Sequence, residues 1–259
     1  MQPKNLPYAP KCENRFDAKT TELLALPKTL GHLNESQGGC LVGDIQYQAF
    51  VYRHRPSGQE LNEVKLAKID LKSGKILQLS RTLFLHHAND MTYNSKTNKL
   101  LVSNNAPHRK WLTVIDPDTL EMERTIELPV DIFGISYNEK KDIYAVGISF
   151  GKSFCLLDAD FRVIDDKIYQ PSPLTERYVN QGISSDDDFI YFAFWDAYTL
   201  KGDPENFQST VAAYRWNGEF AGLIDFNVGP QEPENLSVRN GKLMLVADDE
   251  EFTHFHELS

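Results

Sequence analysis

Five segments of the chain share one internal order: QGGCLVGD (37–44), HHANDMTYN (86–94), DIFGISYN (131–138), NQGISSDD (180–187) and EPENLSVRN (232–240). Each sets a Gly, Asn or Asp just before a short half-apolar strand, and each is followed by a second strand and a hairpin. With Gly39, Asp90, Gly134, Gly182 and Asn235 as equivalent points, the steps between them are 51, 44, 48 and 53 residues. A four-stranded propeller blade takes about 40–50 residues, whereas leucine-rich, ankyrin and tetratricopeptide repeats are shorter. The repeat therefore predicts an all-β chain: a single β-propeller of about five four-stranded blades.

The strands bear this out locally. In the second repeat DMTYN, KLLVSN, LTVIDP and MERTIEL are separated by polar turns. The third repeat copies it, ending in VIDDKIY as its outer strand. Asn217-Gly218 is a strong hairpin signal in the fourth. The last repeat ends after FTHFHEL (252–258) without an outer strand, and an orphan apolar segment, TTELLALP (20–27), precedes the first. Pairing the two closes the ring and removes two exposed strand edges. Residues 1–17 read as an irregular N-terminal arm and residues 18–259 as the propeller domain.

Composition narrows the partners. A chain of 259 residues with 41% hydrophobic residues is long enough for a sizeable core, and one all-β domain of this size is ordinary. A formal charge of −10 argues against nucleic acid, which needs clustered Lys and Arg. Cys12, Cys40 and Cys155 fit no zinc-knuckle spacing, and the latter two sit in apolar strand contexts as buried thiols. The N-terminus is polar and proline-rich, and no run approaches the roughly 18 apolar residues of a membrane helix. The chain is expected to be soluble and cytoplasmic, or secreted if a signal peptide was removed.

Strand alternation within a blade puts the residues opening each inner strand at one mouth of the channel. That mouth would carry His86, His87, Asn89, Asp90, Asn180, Gln181, Glu234 and Asn235, with Arg109 and Trp195 on adjoining loops. Three chemistries suit such a set. Asn89, Asp90, Asn180 and Glu234 offer oxygens to a hard divalent cation, calcium first and zinc or manganese after it. Asp90 and Glu234 form a candidate acid–base pair. His87 is a candidate general acid or base. His86, Arg109, Gln181, Trp195 and Asn235 would bind a small-molecule or glycan ligand, Arg109 by its charge. Gly, Asn and Asp before a strand also serve plain backbone needs. His254 and His256 alternate along one strand and read as one face of the closing blade rather than as a metal pair. The long connection 197–210 reads as a lid over the mouth.

The run Ala88-Asn89-Asp90-Met91-Thr92-Tyr93-Asn94, followed by SKTNKLLVSN, resembles the repeat of the gluconolactonase and senescence-marker-protein propellers. That resemblance implies lactone hydrolysis assisted by a channel metal. It carries Asn89 over as a ligand, and matches Glu234 to the family's glutamate by chemistry rather than by position. KLAKIDLKSGKIL (65–77) and TVIDPDTLEMERTIELP (113–129) are similar to strands of the plant-type glutaminyl cyclase propellers, which implies an acyltransferase. The leading expectation is a metal-assisted hydrolase or lyase at the channel mouth. The alternatives are a glutaminyl-cyclase-like enzyme and a non-catalytic propeller that binds a glycan, peptide or protein.

Overall fold

The computed structural model describes residues 14–30, 33–54, 59–164, 167–169, 178–196 and 209–259. Two short strands come first, β1 (Arg15–Asp17) and β2 (Thr20–Pro27), and both join later blades. Blade 1 is β3 (Glu35–Val42), β4 (Ile45–His54), β5 (Gln59–Asp70) and β6 (Lys75–Leu79), with β7 (Leu83–Phe84) pairing β5. Blade 2 is β8 (Asp90–Asn94), β9 (Lys99–Ser103), β10 (Trp111–Ile115) and β11 (Met122–Glu127). Blade 3 is β12 (Gly134–Asn138), β13 (Ile143–Ile148) and β14 (Ser153–Leu157). Blade 4 is β15 (Tyr178–Ser185), β16 (Phe189–Asp196), β17 (Ser209–Arg215) and β18 (Phe220–Phe226). Blade 5 is β19 (Glu232–Arg239), β20 (Lys242–Asp248), β21 (Phe252–Leu258) and, outermost, β2.

The inner strands touch in cyclic order, β3 to β8, β12, β15, β19 and back to β3. This is the five-bladed propeller that the repeat predicts. The ring closes as expected, with Thr20–Pro27 pairing antiparallel to Phe252–Leu258. Two details differ. Arg15–Asp17 lies in the segment read as irregular, yet runs parallel to β18, and Arg15 makes a two-pronged ion pair with buried Asp225. In blade 3, the described residues of the expected outer strand, 163–164 and 167–169, bridge β14 at Leu157–Val163 and Phe154–Tyr169. Those two bridges are out of register with each other by three residues, so no single ladder contains both.

Period-2 alternation explains the core. Each blade is buried on both faces, so successive residues of one strand feed different interfaces. Leu100 and Val102 of β9 face blade 1, while Leu101 faces blade 3. Ile190, Phe192 and Phe194 of β16 face blade 3, while Ala193 faces blade 5. The result is five separate apolar clusters, one per interface. Trp216 packs in the cluster between blades 3 and 4 and donates to Asp186 O at 2.9 Å. Cys40 and Cys155 are buried free thiols, and burial pushes both up.

The axis is filled rather than open at the level of the five equivalent points. Asp90 is fully buried, and its Oδ1 accepts from Met91 N at 2.9 Å. Its Oδ2 accepts from Ile135 N at 3.0 Å and Ile183 N at 3.1 Å. One carboxylate thus joins blades 2, 3 and 4. Opposite it, the Asn235 amide donates to Gly39 O, joining blades 5 and 1. Glycine follows at Gly134 because a Cβ there would lie 2.7 Å from Asp90 Oδ2. At Gly38 a Cβ would lie 2.4 Å from Asp90 Cα.

Asp90→Ala should therefore destabilise the whole ring. It orphans three buried amides at a cost of about 1–3 kcal/mol each. At about 2–4 °C per kcal/mol for a domain of this size, the melting temperature should fall by roughly 6 °C or more. Thermal unfolding followed by far-UV circular dichroism checks this, and an unchanged midpoint would contradict the axial role.

Candidate functional site

Three of the five inner strands carry a one-residue bulge near the channel mouth. In β3 the register slips between Ser36 and Gly39, in β15 between Asn180 and Gly182, and in β19 between Pro233 and Asn235. An inserted residue breaks the ladder and re-aims its side chain, and such bulges gather beside active sites. Gln37 lies within the first bulge, Gln181 is the extra residue of the second and Glu234 that of the third. β8 and β12 have no bulge. The polar side of the mouth is thus built by blades 1, 4 and 5.

Glu234 is the focus of this side. It is 3% exposed, and Gln37 Nε2 donates to its Oε2 at 3.1 Å. The Gln37 carbonyl is held in turn by the Gln48 amide. Gln46 Nε2 donates to Gln48 Oε1 at 3.0 Å, which fixes the amide chain behind the acid. Gln181 Nε2 donates to Glu232 Oε1 at 2.7 Å. Burial pushes the Glu234 carboxyl well above its usual range, and the neighbouring charges of Glu232, Asp248 and Glu35 push the same way. Lys28 opposes them, but it is engaged elsewhere, 2.6 Å from Asp248. Asp248 is also satisfied by Ser36 N, Ser36 Oγ and Thr253 Oγ1. Burial and the neighbouring charges both favour the protonated form of Glu234.

The other expected residues fall in several places. Asp90 lies on the axis, with both oxygens accepting backbone amides. Burial pushes its carboxyl well above the ordinary value, against the pull of those three amides. Asn89 Nδ2 donates to Phe133 O at 2.7 Å, and its Oδ1 accepts from Asn105 at 3.1 Å. Asn180 is buried against Gly151, with Nδ2 3.2 Å from Ala193 O and Oδ1 without a partner. Asn235 Oδ1 is likewise buried and unpartnered. Trp195 is half-buried in β16, opposite Val179. His86 and His87 are half-buried on the blade 2 side. His86 lies 5.0 Å from the His108 ring, which stacks on Trp111 at 3.7 Å. Residues 197–208 of the expected lid lie outside the described residues. Among the described residues, the one group of three or more His, Cys, Asp or Glu side chains with converging ligand atoms lies in blade 5, and it includes none of the expected ligands.

Arg109 belongs to a second feature. With Asn105, Asp131, Ile132, Phe133, Ser149 and Phe150 it lines a small recess open to solvent. Its guanidinium sits 4.8 Å from the centre of the Phe150 ring. Phe150 is 56% exposed, and both Ser149 and Phe150 hold left-handed backbone angles, with φ of 51° and 60°. Strained backbone presenting an exposed aromatic beside a cation is a feature to be explained by binding. Sequence reasoning found Arg109 by its charge but had no signal for Phe150.

No protein-family model matches this chain, and no curated protein matches it in sequence. Solved structures do match in shape. The glutaminyl cyclase of Myxococcus xanthus aligns over 95% of this chain and 99% of its own, with a TM-score of 0.62 and 12% identity. The tail fiber of Staphylococcus aureus phage P68 aligns over 93% of this chain with a TM-score of 0.64 and 11% identity. This chain spans about half of that fiber, 52% of its length. At such identities the likeness is one of fold.

The Glu234 environment has a thermodynamic signature. Its folded-state pKa stands above the unfolded value, so its stabilising proton is present below the ordinary carboxylate range. That stability is lost as pH rises through the folded-state pKa. Glu234→Gln keeps the neutral shape and removes the titration. Near pH 4 the variant should melt with the wild type, and at pH 8 it should melt several degrees higher, at about 2–4 °C per kcal/mol. Equal midpoints at both pH values would mean that the acid is not held neutral.

Proposed function

We propose that the protein is a small-molecule enzyme of the acyl-transfer class, with Glu234 as the general acid at the channel mouth. The observation that carries this reading is the buried Glu234 carboxyl, held by Gln37 on a bulge and pushed toward its protonated form by burial and by Glu232, Asp248 and Glu35. A carboxylic acid kept protonated near neutral pH can give its proton to a leaving nitrogen or oxygen. As the acyl bond to that atom breaks, the carboxylate left behind takes a proton from the incoming nucleophile. Water as nucleophile makes the reaction a hydrolysis, as of a lactone. An amine of the same substrate makes it a cyclisation.

This version requires no cation at the mouth. Both Asp90 oxygens are already committed to amides. The fold likeness to a glutaminyl cyclase serves to choose the first substrate to try, a short peptide with N-terminal glutamine. An aldonolactone is the second. Ammonia release and proton release report the two reactions. Glu234→Gln should lower kcat by about 10²–10⁴ with a smaller change in KM, in line with the loss of a general acid. Wild-type activity should fall on the alkaline side as Glu234 ionises. Turnover that survives the substitution, or that requires an added divalent metal, would overturn the reading.

The Arg109–Phe150 recess favours a second reading, a binding module for a glycan or an anionic small molecule. In that case Arg109→Ala and Phe150→Ala should abolish ligand binding by calorimetry while Glu234→Gln leaves it intact.

A further inference from the structure

The closing blade carries a cluster that none of the channel chemistry uses. His254 and His256 lie on one face of β21, the face that turns toward blade 4. Their strand partners Ala247 and Leu245 belong to the apolar cluster between blades 4 and 5. The rings stack at 5.9 Å with an interplanar angle of 17°. His256 pairs across the ladder with Glu22 of the N-terminal strand. One ligand atom from each of Glu22, His254 and His256 lies within 4.8 Å of the other two.

The local backbone is shaped to bring the carboxylate there. Glu22 and Leu24 are two residues apart and in a regular strand would share a face. The register of β2 slips between them, with Leu23 as the extra residue. Leu24 then packs in the cluster between blades 5 and 1, with Phe255, while Glu22 turns to the histidine face. An unbroken ladder would have put a carboxylate into an apolar interface or Leu24 into a polar one.

Both imidazoles have an acceptor on their Nε2 nitrogens. His254 Nε2 lies 2.8 Å from Asp249 Oδ2, and His256 Nε2 lies 2.7 Å from Gln231 Oε1. The Gln231 contact fixes the His256 ring and places its proton on Nε2, so the His256 Nδ1 lone pair is available. His254 Nδ1 is 2.7 Å from Glu22 Oε2. His256 is 4% exposed, and its Nδ1 is buried with no hydrogen-bond partner. A buried imidazole nitrogen without a partner is costly unless something fills the position.

We propose that Glu22, His254 and His256 form a binding site for a divalent transition-metal ion of the zinc class, which clips the N-terminal strand to the C-terminal strand. Two imidazoles and one carboxylate suit zinc, with water at the fourth position. Ligand atoms at about 2.0–2.1 Å from a tetrahedral ion stand about 3.4 Å apart. Reaching that spacing takes a shift of about an ångström. Glu22, 48% exposed at its side chain, is free to supply part of it. Asp249 and Gln231 serve as the outer shell. Because only the closed ring brings residue 22 beside residues 254 and 256, the ion binds the folded state and stabilises it by mass action. The site is separate from the channel mouth.

The test uses full-length protein stripped with chelator, then titrated with zinc alone. One equivalent should bind, and the melting temperature should rise with zinc concentration. Cobalt in place of zinc should give the intense visible bands of a tetrahedral ion. Glu22→Ala should abolish the zinc-dependent rise. That comparison is made within the variant, with and without zinc, so the loss of the Glu22–His254 contact itself does not enter it. Gln231→Ala should weaken binding about 10–100-fold, the effect of removing an outer-shell partner. Glu234→Gln should leave zinc binding unchanged, which separates this site from the mouth. Absence of stoichiometric binding, or a zinc response that survives in Glu22→Ala, would overturn the proposal. His254 would then serve only as a hydrogen-bonding link between Glu22 and Asp249.

Discussion

One buried carboxylate organises the centre of this molecule. Asp90 accepts the backbone amides of Met91, Ile135 and Ile183, and so fixes the spacing of three inner strands around the axis. Blades in a propeller touch mainly through apolar side chains, which set distance loosely and direction hardly at all. A carboxylate with three directed hydrogen bonds does both. The cost is that of burying a carboxyl, and burial pushes the Asp90 pKa well above its ordinary value. Gly38 and Gly134 are small because Asp90 is where it is. Asn235 performs the matching task between blades 5 and 1 with one amide.

The ring and its closure were legible in the sequence because both rest on period and pattern. Five Gly, Asn or Asp points at nearly even spacing, and an unpaired apolar strand at each end of the chain, leave few other solutions. The repeat also located the residues that depart from it. What it did not convey is what those departures do. Asp90 and Asn235 stand out at positions where other blades have glycine, and the same contrast arises whether a polar residue faces a substrate or ties strands together. Contacts decide, and Asp90 lies 45 and 93 residues from two of its three partners.

The bulges were illegible for a related reason. Each blade is apolar on both faces, so a strand does not show the clean alternation that would reveal a slipped residue. Yet the bulges are what turn a near-symmetric ring into an asymmetric site. They place Gln37, Gln181 and Glu234 on one side of the mouth, where the unbulged strands β8 and β12 place backbone and Asp90. A burial pattern alone would have ranked Glu234 with Asp90 as one pair of carboxylates. Their partners separate them: Asp90 meets only backbone donors, whereas Glu234 meets a side-chain amide and like charges.

The same device operates at the seam. A single extra residue, Leu23, lets one strand satisfy an apolar interface with Leu24 and a polar cluster with Glu22. Sequence spacing hid this, because His254 and His256 two residues apart are ordinary for one strand face, and Glu22 is 232 residues from His254. Ring closure is the step with the largest loop to close, and its entropic cost grows with the logarithm of that length. Contacts across the seam close the longest loop in the fold, between residues 20–27 and 252–258. Backbone pairing of β2 with β21 supplies the register there, and the Glu22–His254–Asp249 chain adds directed polar contacts on the face where the apolar cluster gives way to water.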